Sequence, residues 1–301
     1  MASLVKDLVE AGIHFGHRST NWNPRMAPYI FGKRNRIHII DVRETIKGLL
    51  LARKFITRVV SQGKDILFVG TKRQARSSIE QYARESGMHW VTERWLGGTL
   101  TNFRTIRERL KRLEELEQLE ESGEINNYSK KMESTLRRDK NKIKRNLDGI
   151  RNMTRLPGAV VVIDVNHETN AMKEARKLGI PTVSLIDSDS DPEMTDIAIP
   201  GNDDAMKSIE VVIKSLCAAI MEGKQQQQTI SPQDKEAGEK APRSRRSSRA
   251  MFRAEDAAPA AQDDQVTTNS SSGSPATAEA NPAEVPPGDS APLGEDAAQA
   301  E

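Results

Sequence analysis

Downstream of residue 41 the apolar positions Ile46, Leu49, Leu50, Ile56, Val59 and Val60 recur with the spacing of one helix face, and Asp41-Val-Arg-Glu44 ahead of them reads as an Asp version of a capping box. A helix ending at Gly63 is predicted there. A shorter amphipathic helix precedes it, with Ser3 as cap and Leu4, Leu8 and Val9 on its apolar side. Elsewhere the apolar runs are short and nearly unbroken: residues 65–70 (DILFVG), 89–92, 159–164 (AVVVID), 181–187 and 196–200, with a further strand near 36–40. Between and after them the period lengthens to that of helices over 72–86, 168–178 and 203–222. A strand with water on one face alternates, whereas a strand covered on both faces is apolar throughout. The fold class predicted is therefore α/β, a doubly wound and mostly parallel sheet with helices on both sides.

Two stretches break that rhythm. Residues 103–121 carry Ile106, Leu110, Leu113 and Leu116 in a narrow seam, and after SGEINNY a second arm to residue 150 carries Leu136, Ile143, Leu147 and Ile150. Narrow seams between charged flanks, with Ser122-Gly123 at the reversal, predict an antiparallel coiled-coil hairpin with arms of roughly 30 Å. From residue 225 the chain becomes Gln-rich, then basic around PRSRRSSR, then Ala-, Pro-, Ser- and Glu-rich. So little apolar surface cannot offset ordering entropy, and residues 225–301 are expected to be disordered. The organisation expected is an α/β domain from 1–102 and 151–224, the hairpin at 103–150, and the extension at 225–301.

Charge sharpens this division. Residues 1–224 hold 38 Lys plus Arg against 30 Asp plus Glu, residues 225–253 hold 7 against 3, and residues 254–301 hold none against 10. A net of +2 for the whole chain thus conceals a basic body, which favours an anionic partner, and an acidic end. The single cysteine, Cys217, lies in the apolar run VVIKSLCAAI and reads as a core position, which excludes a disulfide framework. With no secretory pattern and no apolar stretch approaching 18 residues, a cytoplasm-like compartment and no membrane partner are expected.

Catalytic constellations are missing. There is no GxSxG and no GxGxxG, and Gly70-Thr71-Lys72-Arg73 departs from a Walker loop because Thr71 separates the glycine from the lysine. His14 and His17 have no cysteine or acid in the following twenty positions, so no metal is expected at that pair. An alternative divalent-ion site is His167 with Asp187 and Asp203, which follow strand ends on one rim, although Asx turns and helix caps explain the same acids. An EF-hand starting at Asp187 fails, having Pro192 and Ala198 where Gly and Glu are needed.

What the loops do contain is bases, aromatics and small polar residues together. One group is His17, Arg18, Trp22, Asn23, Arg25, Lys33, Arg34 and Arg36; a second is Lys72, Arg73 and Arg76; a third is Arg94, Trp95, Asn102 and Arg104 beside Gly97-Gly98. Phosphates take Arg, Lys, Asn and hydroxyl donors, and splayed bases take flat side chains. Trp22 and Trp95 either stack bases or anchor their loops; composition alone leaves both open.

HFGH at 14–17, WNP at 22–24, FGKRNRIHIID, LFVGTKRQA, RWLGGTLTNF, LPGAVVVIDVNHE, LGIP and IPGNDDA occur in one order across residues 1–224. In that order they closely resemble the bacterial-type small-subunit ribosomal protein two family, and the 103–150 insertion resembles the hairpin of its bacterial and organellar branch. The resemblance implies a non-enzymatic constituent of the small subunit that binds ribosomal RNA between head and body. It also implies a flavodoxin- or Rossmann-like fold, no cofactor, a place on cytoplasmic ribosomes, and a role in initiation through docking of the large multi-domain ribosomal protein one. RNA-facing side chains are expected among the bases in and beside these motifs. The extension beyond Lys224 lies outside the motif set, and its basic knot from Arg243 to Arg249 is a further candidate for RNA contact.

Overall fold

The computed structural model describes residues 2–229. The central sheet is parallel and five-stranded: β4 (Ile66–Val69), β5 (His89–Val91), β6 (Ala159–Ile163), β7 (Thr182–Ile186) and β8 (Ile197–Pro200), in the order β5-β4-β6-β7-β8. Alternate residues of the same strands face opposite layers, as the unbroken apolar runs require. Phe68, Val161 and Leu185 pack with α2 (Val42–Ser61), α3 (Arg73–Ser86) and α7 (Met206–Thr229). Leu67, Val69, Val160 and Val162 pack instead with α6 (Thr169–Leu178) and with Trp95, Leu100 and Ile150. The order reverses between β4 and β6, the switch point at which the carboxyl ends of parallel strands open a crevice.

Asp41 caps α2 as its sequence implies, its carboxylate accepting the Arg43 N–H at 2.9 Å, whereas Glu44 pairs with Lys47 instead of reaching back. The amino-terminal region holds more structure than the apolar pattern predicts. After α1 (Ala2–Glu10), β1 (Phe15–Arg18), β2 (Ile30–Arg34) and β3 (Ile37–Ile40) form a separate three-stranded antiparallel sheet, ordered β1-β3-β2. Of these strands the pattern predicts only β3. FGHR and IFGKR do not alternate cleanly because none of their residues is fully buried. Asn35 and Arg36 close the β2–β3 hairpin with φ of 50° and 64°, the left-handed pair demanded by a tight two-residue turn.

The insertion consists of α4 (Phe103–Glu121) and α5 (Lys130–Leu147), linked by a short 3₁₀ turn. Leu116, Ile125 and Leu136 form a small cluster of their own, and Glu120 pairs with Arg137 and Lys140 across the helices. At the other end Ile106, Leu110 and Leu147 join the sheet's second layer, which roots the pair in the domain. Helix α7 continues to Thr229, beyond both the expected end near Glu222 and the expected boundary at residue 225. Glutamine is a good helix former, and Gly223 lets α7 lie against α2, where a Cβ would sit 2.9 Å from the Thr57 carbonyl oxygen. The remainder of the extension, with its basic knot, lies outside the described residues.

Candidate nucleic-acid interface and an acidic crevice

Among the described residues, Arg18, Lys33, Arg34 and Arg36 project from the three-stranded sheet, exposed and without a carboxylate partner. The tight turn places Arg34 and Arg36 on either side of Asn35. Trp22 stacks on His38 at 5.0 Å between ring centroids and remains 37% exposed. His38 is buried, and that burial, then the charge of Lys33, lowers its pKa. Phe31, at 79%, is the most exposed large apolar side chain of the region. Two neighbours are internal instead. The Asn23 side chain accepts the Arg25 N–H at 3.0 Å, and Arg25 pairs with Asp191 at 2.5 Å and Glu193 at 3.2 Å.

The second and third groups divide in the same way. Arg73 and Arg94 are exposed and unpaired among the described residues; Arg104 pairs with Glu108 and Arg76 with Glu93. Asn102 immediately precedes α4, and its side-chain oxygen accepts from the Thr105 hydroxyl at 3.0 Å. Of the two options for Trp95 the anchoring one has support, since it is only 8% exposed and donates its indole N–H to Glu174 at 3.0 Å. Flat shape and flanking bases are the signals that make Trp22 and Trp95 look alike; the apolar Leu96, Leu100 and Ile106 packed around Trp95 decide its role.

Lys72 is likewise engaged inside the fold. Instead of facing a phosphate it points into the crevice at the switch point, its ammonium 3.0 Å from Asp164, 2.8 Å from Asp203 and 2.8 Å from Asp204. Burial alone would lower its pKa, but these carboxylates outweigh burial and raise it. Beside it Glu168, 3% exposed, accepts both the Thr71 N–H at 2.8 Å and the Thr71 hydroxyl at 2.5 Å. The turn after β4 therefore receives carboxylates at Thr71 and Lys72, while Arg73 beside them faces solvent.

The same crevice contains a histidine, but not the one expected. His167 is half exposed and engages Thr71 and Glu168. It is His17 that meets the acids: its Nδ1 lies 3.1 Å from Asp187 and its Nε2 3.4 Å from Asp204. His17, Asp187 and Asp203 each bring one ligand atom within 4.8 Å of the others. Gly16 makes the approach possible, since a Cβ there would stand 2.9 Å from both Asp187 Oδ1 and Ser188 Oγ. The His17 N–H donates to Ser188 Oγ at 2.9 Å. Hydrogen bonding to Asp187 is the main cause that lifts the His17 pKa to about 9, against burial. Burial, then the charge of Asp164, pushes the Asp203 carboxyl up to about 7. Asp203 Oδ2 is buried with no hydrogen-bond partner. Acids close in sequence could not reveal this histidine, which lies 170 positions from Asp187 and arrives through β1.

Comparison with known proteins adds to this geometry. The ribosomal protein S2 family matches residues 8–223. The small ribosomal subunit protein uS2 of Rhodopirellula baltica is 52% identical over 79% of this chain and 92% of its own length. The protein uS2c of Guillardia theta is 50% identical over 74% of this chain and 95% of its own. The uS2 protein of Syntrophobacter fumaroxidans is 45% identical over 73% and 80% respectively.

Proposed function

The chain belongs to the ribosomal protein S2 family, and from that premise we propose that it is a structural, non-enzymatic constituent of the small ribosomal subunit that grips ribosomal RNA through its amino-terminal sheet. The observation that carries the RNA reading is the set of exposed cations Arg18, Lys33, Arg34 and Arg36, without acidic partners among the described residues, beside the stacked Trp22. Arg73 and Arg94 extend the same surface chemistry. Cations left unpaired by their own fold are desolvated cheaply by phosphates, and a partly exposed indole offers one face to a base. Lys72 and Trp95 are withdrawn from this set, since each is committed inside the fold. Arg25, Arg104, Asn23 and Asn102 are secondary contacts, each already holding an internal partner.

In this reading α4 and α5 act as a coiled-coil contact arm, and the protein sits on the ribosome in the cytoplasm, between head and body of the subunit. The large multi-domain ribosomal protein one docks beside the RNA grip and so supports initiation; exposed Phe31 offers such a partner an apolar anchor. Among the described residues no helix is long and apolar enough to cross a membrane. Photocrosslinking of the protein in small subunits tests the grip. RNA crosslinks are expected on peptides spanning residues 18–36 and 73–94, and crosslinks confined to other faces contradict it.

A second reading is favoured by one observation, the unpartnered buried Asp203 Oδ2 beside His17 and Asp187. These three supply one nitrogen and two oxygens, a donor set that suits a divalent transition ion once His17 loses its proton. Titration of the metal-stripped protein with zinc at pH 7.5 and pH 6 tests it. Stoichiometric binding, weaker at the lower pH and lost in His17→Ala, is expected; no binding at either pH refutes it.

A further inference from the structure

Glu174, on α6, is paired with no lysine or arginine among the described residues, yet both of its oxygens are occupied. Its Oε1 accepts the Trp95 indole N–H at 3.0 Å and the Gly98 N–H at 2.8 Å. Its Oε2 accepts the Leu100 N–H at 3.0 Å, the Thr101 N–H at 3.1 Å and the Thr101 hydroxyl at 3.2 Å. Burial works against its ionisation, yet these donors outweigh burial and hold its pKa below the usual carboxylate value. One side chain thus fixes a whole loop that has no regular structure of its own.

The two glycines of that loop are there for different reasons. Gly98 has φ of 91°, a conformation the fold demands of glycine. Gly97 is exposed, its φ lies outside the left-handed region, and a Cβ added to it would meet nothing within 4 Å. Among the described residues nothing requires residue 97 to lack a side chain, and it is exposed. Among the described residues Arg94 is exposed and unpaired, Glu93 is occupied by Arg76 and Arg145, and both oxygens of Glu174 are filled by donors of the loop. Asn102 accepts from Thr105 through its oxygen and retains its amide donor for a partner.

We propose that residues 94–102 form a preset docking surface for the sugar-phosphate backbone of RNA, with Gly97 as the point of closest approach and Glu174 as the positioning residue that holds the surface in shape. This rests on the RNA-gripping function proposed above and deepens it. A rigid loop loses little entropy on binding, and a glycine with no internal role admits a backbone that a side chain would keep away. The exposed Arg94 guanidinium and the Asn102 amide donor suit the phosphate oxygens of such a backbone.

The experiment measures rebinding of the full chain to small subunits depleted of their resident S2-family protein, together with thermal melting and amide hydrogen exchange. Gly97→Ala and Gly97→Leu leave the melting temperature unchanged or slightly raised, because the site is sterically open. Gly97→Leu is expected to weaken rebinding at least tenfold and Gly97→Ala by a smaller factor. Glu174→Gln is expected to raise exchange at Gly98, Leu100 and Thr101 and to weaken rebinding, with Glu174→Asp recovering part of both. Failure of the unaltered protein to rebind overturns the general RNA-gripping function itself. Rebinding of the unaltered protein that Gly97→Leu matches overturns the docking surface, and faster exchange in Glu174→Gln with unchanged rebinding overturns the positioning role.

Discussion

Replacing Lys33, Arg34 and Arg36 together with Ser, Ser and Gly gives a quantitative test of phosphate gripping. Arg36 sits at φ 64°, where an L-residue carries strain of about 1–2 kcal/mol, so glycine there relieves strain while removing a charge. Lys33 and Arg34 are exposed and make no ion pair among the described residues, so their loss costs the fold little, within about 0.5 kcal/mol each. The triple variant should therefore melt at or above the temperature of the unaltered protein. If Arg18, Lys33, Arg34, Arg36, Arg73 and Arg94 each neutralise one phosphate, log affinity falls with log salt at a slope of about −4 to −5. The triple variant should show about half that slope, and a fourfold rise in salt should cost it only about 10- to 40-fold instead of several hundredfold. Filter binding to small-subunit ribosomal RNA between 50 and 200 mM salt measures both slopes. An unchanged slope in a fully folded triple variant refutes the assignment of these cations to phosphates.

The two tryptophans should separate stability from binding: Trp95→Ala is expected to cost about 3–5 kcal/mol in chemical denaturation, and Trp22→Ala to weaken RNA binding with a change below about 1 kcal/mol. His17 should titrate near pH 9 by NMR in metal-free protein, and because its folded pKa lies above its unfolded value of 6.5, the stability it contributes is full below pH 6.5 and lost as pH rises through about 9. His17→Gln should flatten that decline; an unaltered decline assigns it to other groups. Cys217, buried with its thiol pushed up to about 11, should resist alkylation at pH 8 until denaturant is added.

The parallel sheet was readable because β6 and β7 are buried at every position, and a continuous apolar run of that length, rich in β-branched residues, fits a doubly covered strand better than a helix. Helix α4 was readable to its terminal residues for the opposite reason, its narrow seam between charges. Strands β1 and β2 escaped because they are short, carry bases, and have no fully buried residue to set an alternating pattern. Lys72 and Arg73 show where local reading stops. Adjacent in sequence, one turns into a carboxylate crevice assembled from β6 and the β8–α7 connection, and the other faces solvent. No sequence window contains both partners of such a pair, and the same limit hid His17 from Asp187. Gly97-Gly98 reads as one unit in the sequence, but that only Gly98 is held at positive φ while Gly97 has open space around it depends on the folded backbone.

A protein held in the small ribosomal subunit by charged and flat groups on RNA should travel with that subunit. Sedimentation of the tagged full chain from lysate on sucrose gradients, at high and low magnesium, tests it most directly. The account predicts co-migration with subunit-joined ribosomes at high magnesium and with free small subunits at low magnesium, with release in concentrated salt. Recovery of the protein at the top of the gradient under both magnesium conditions contradicts it.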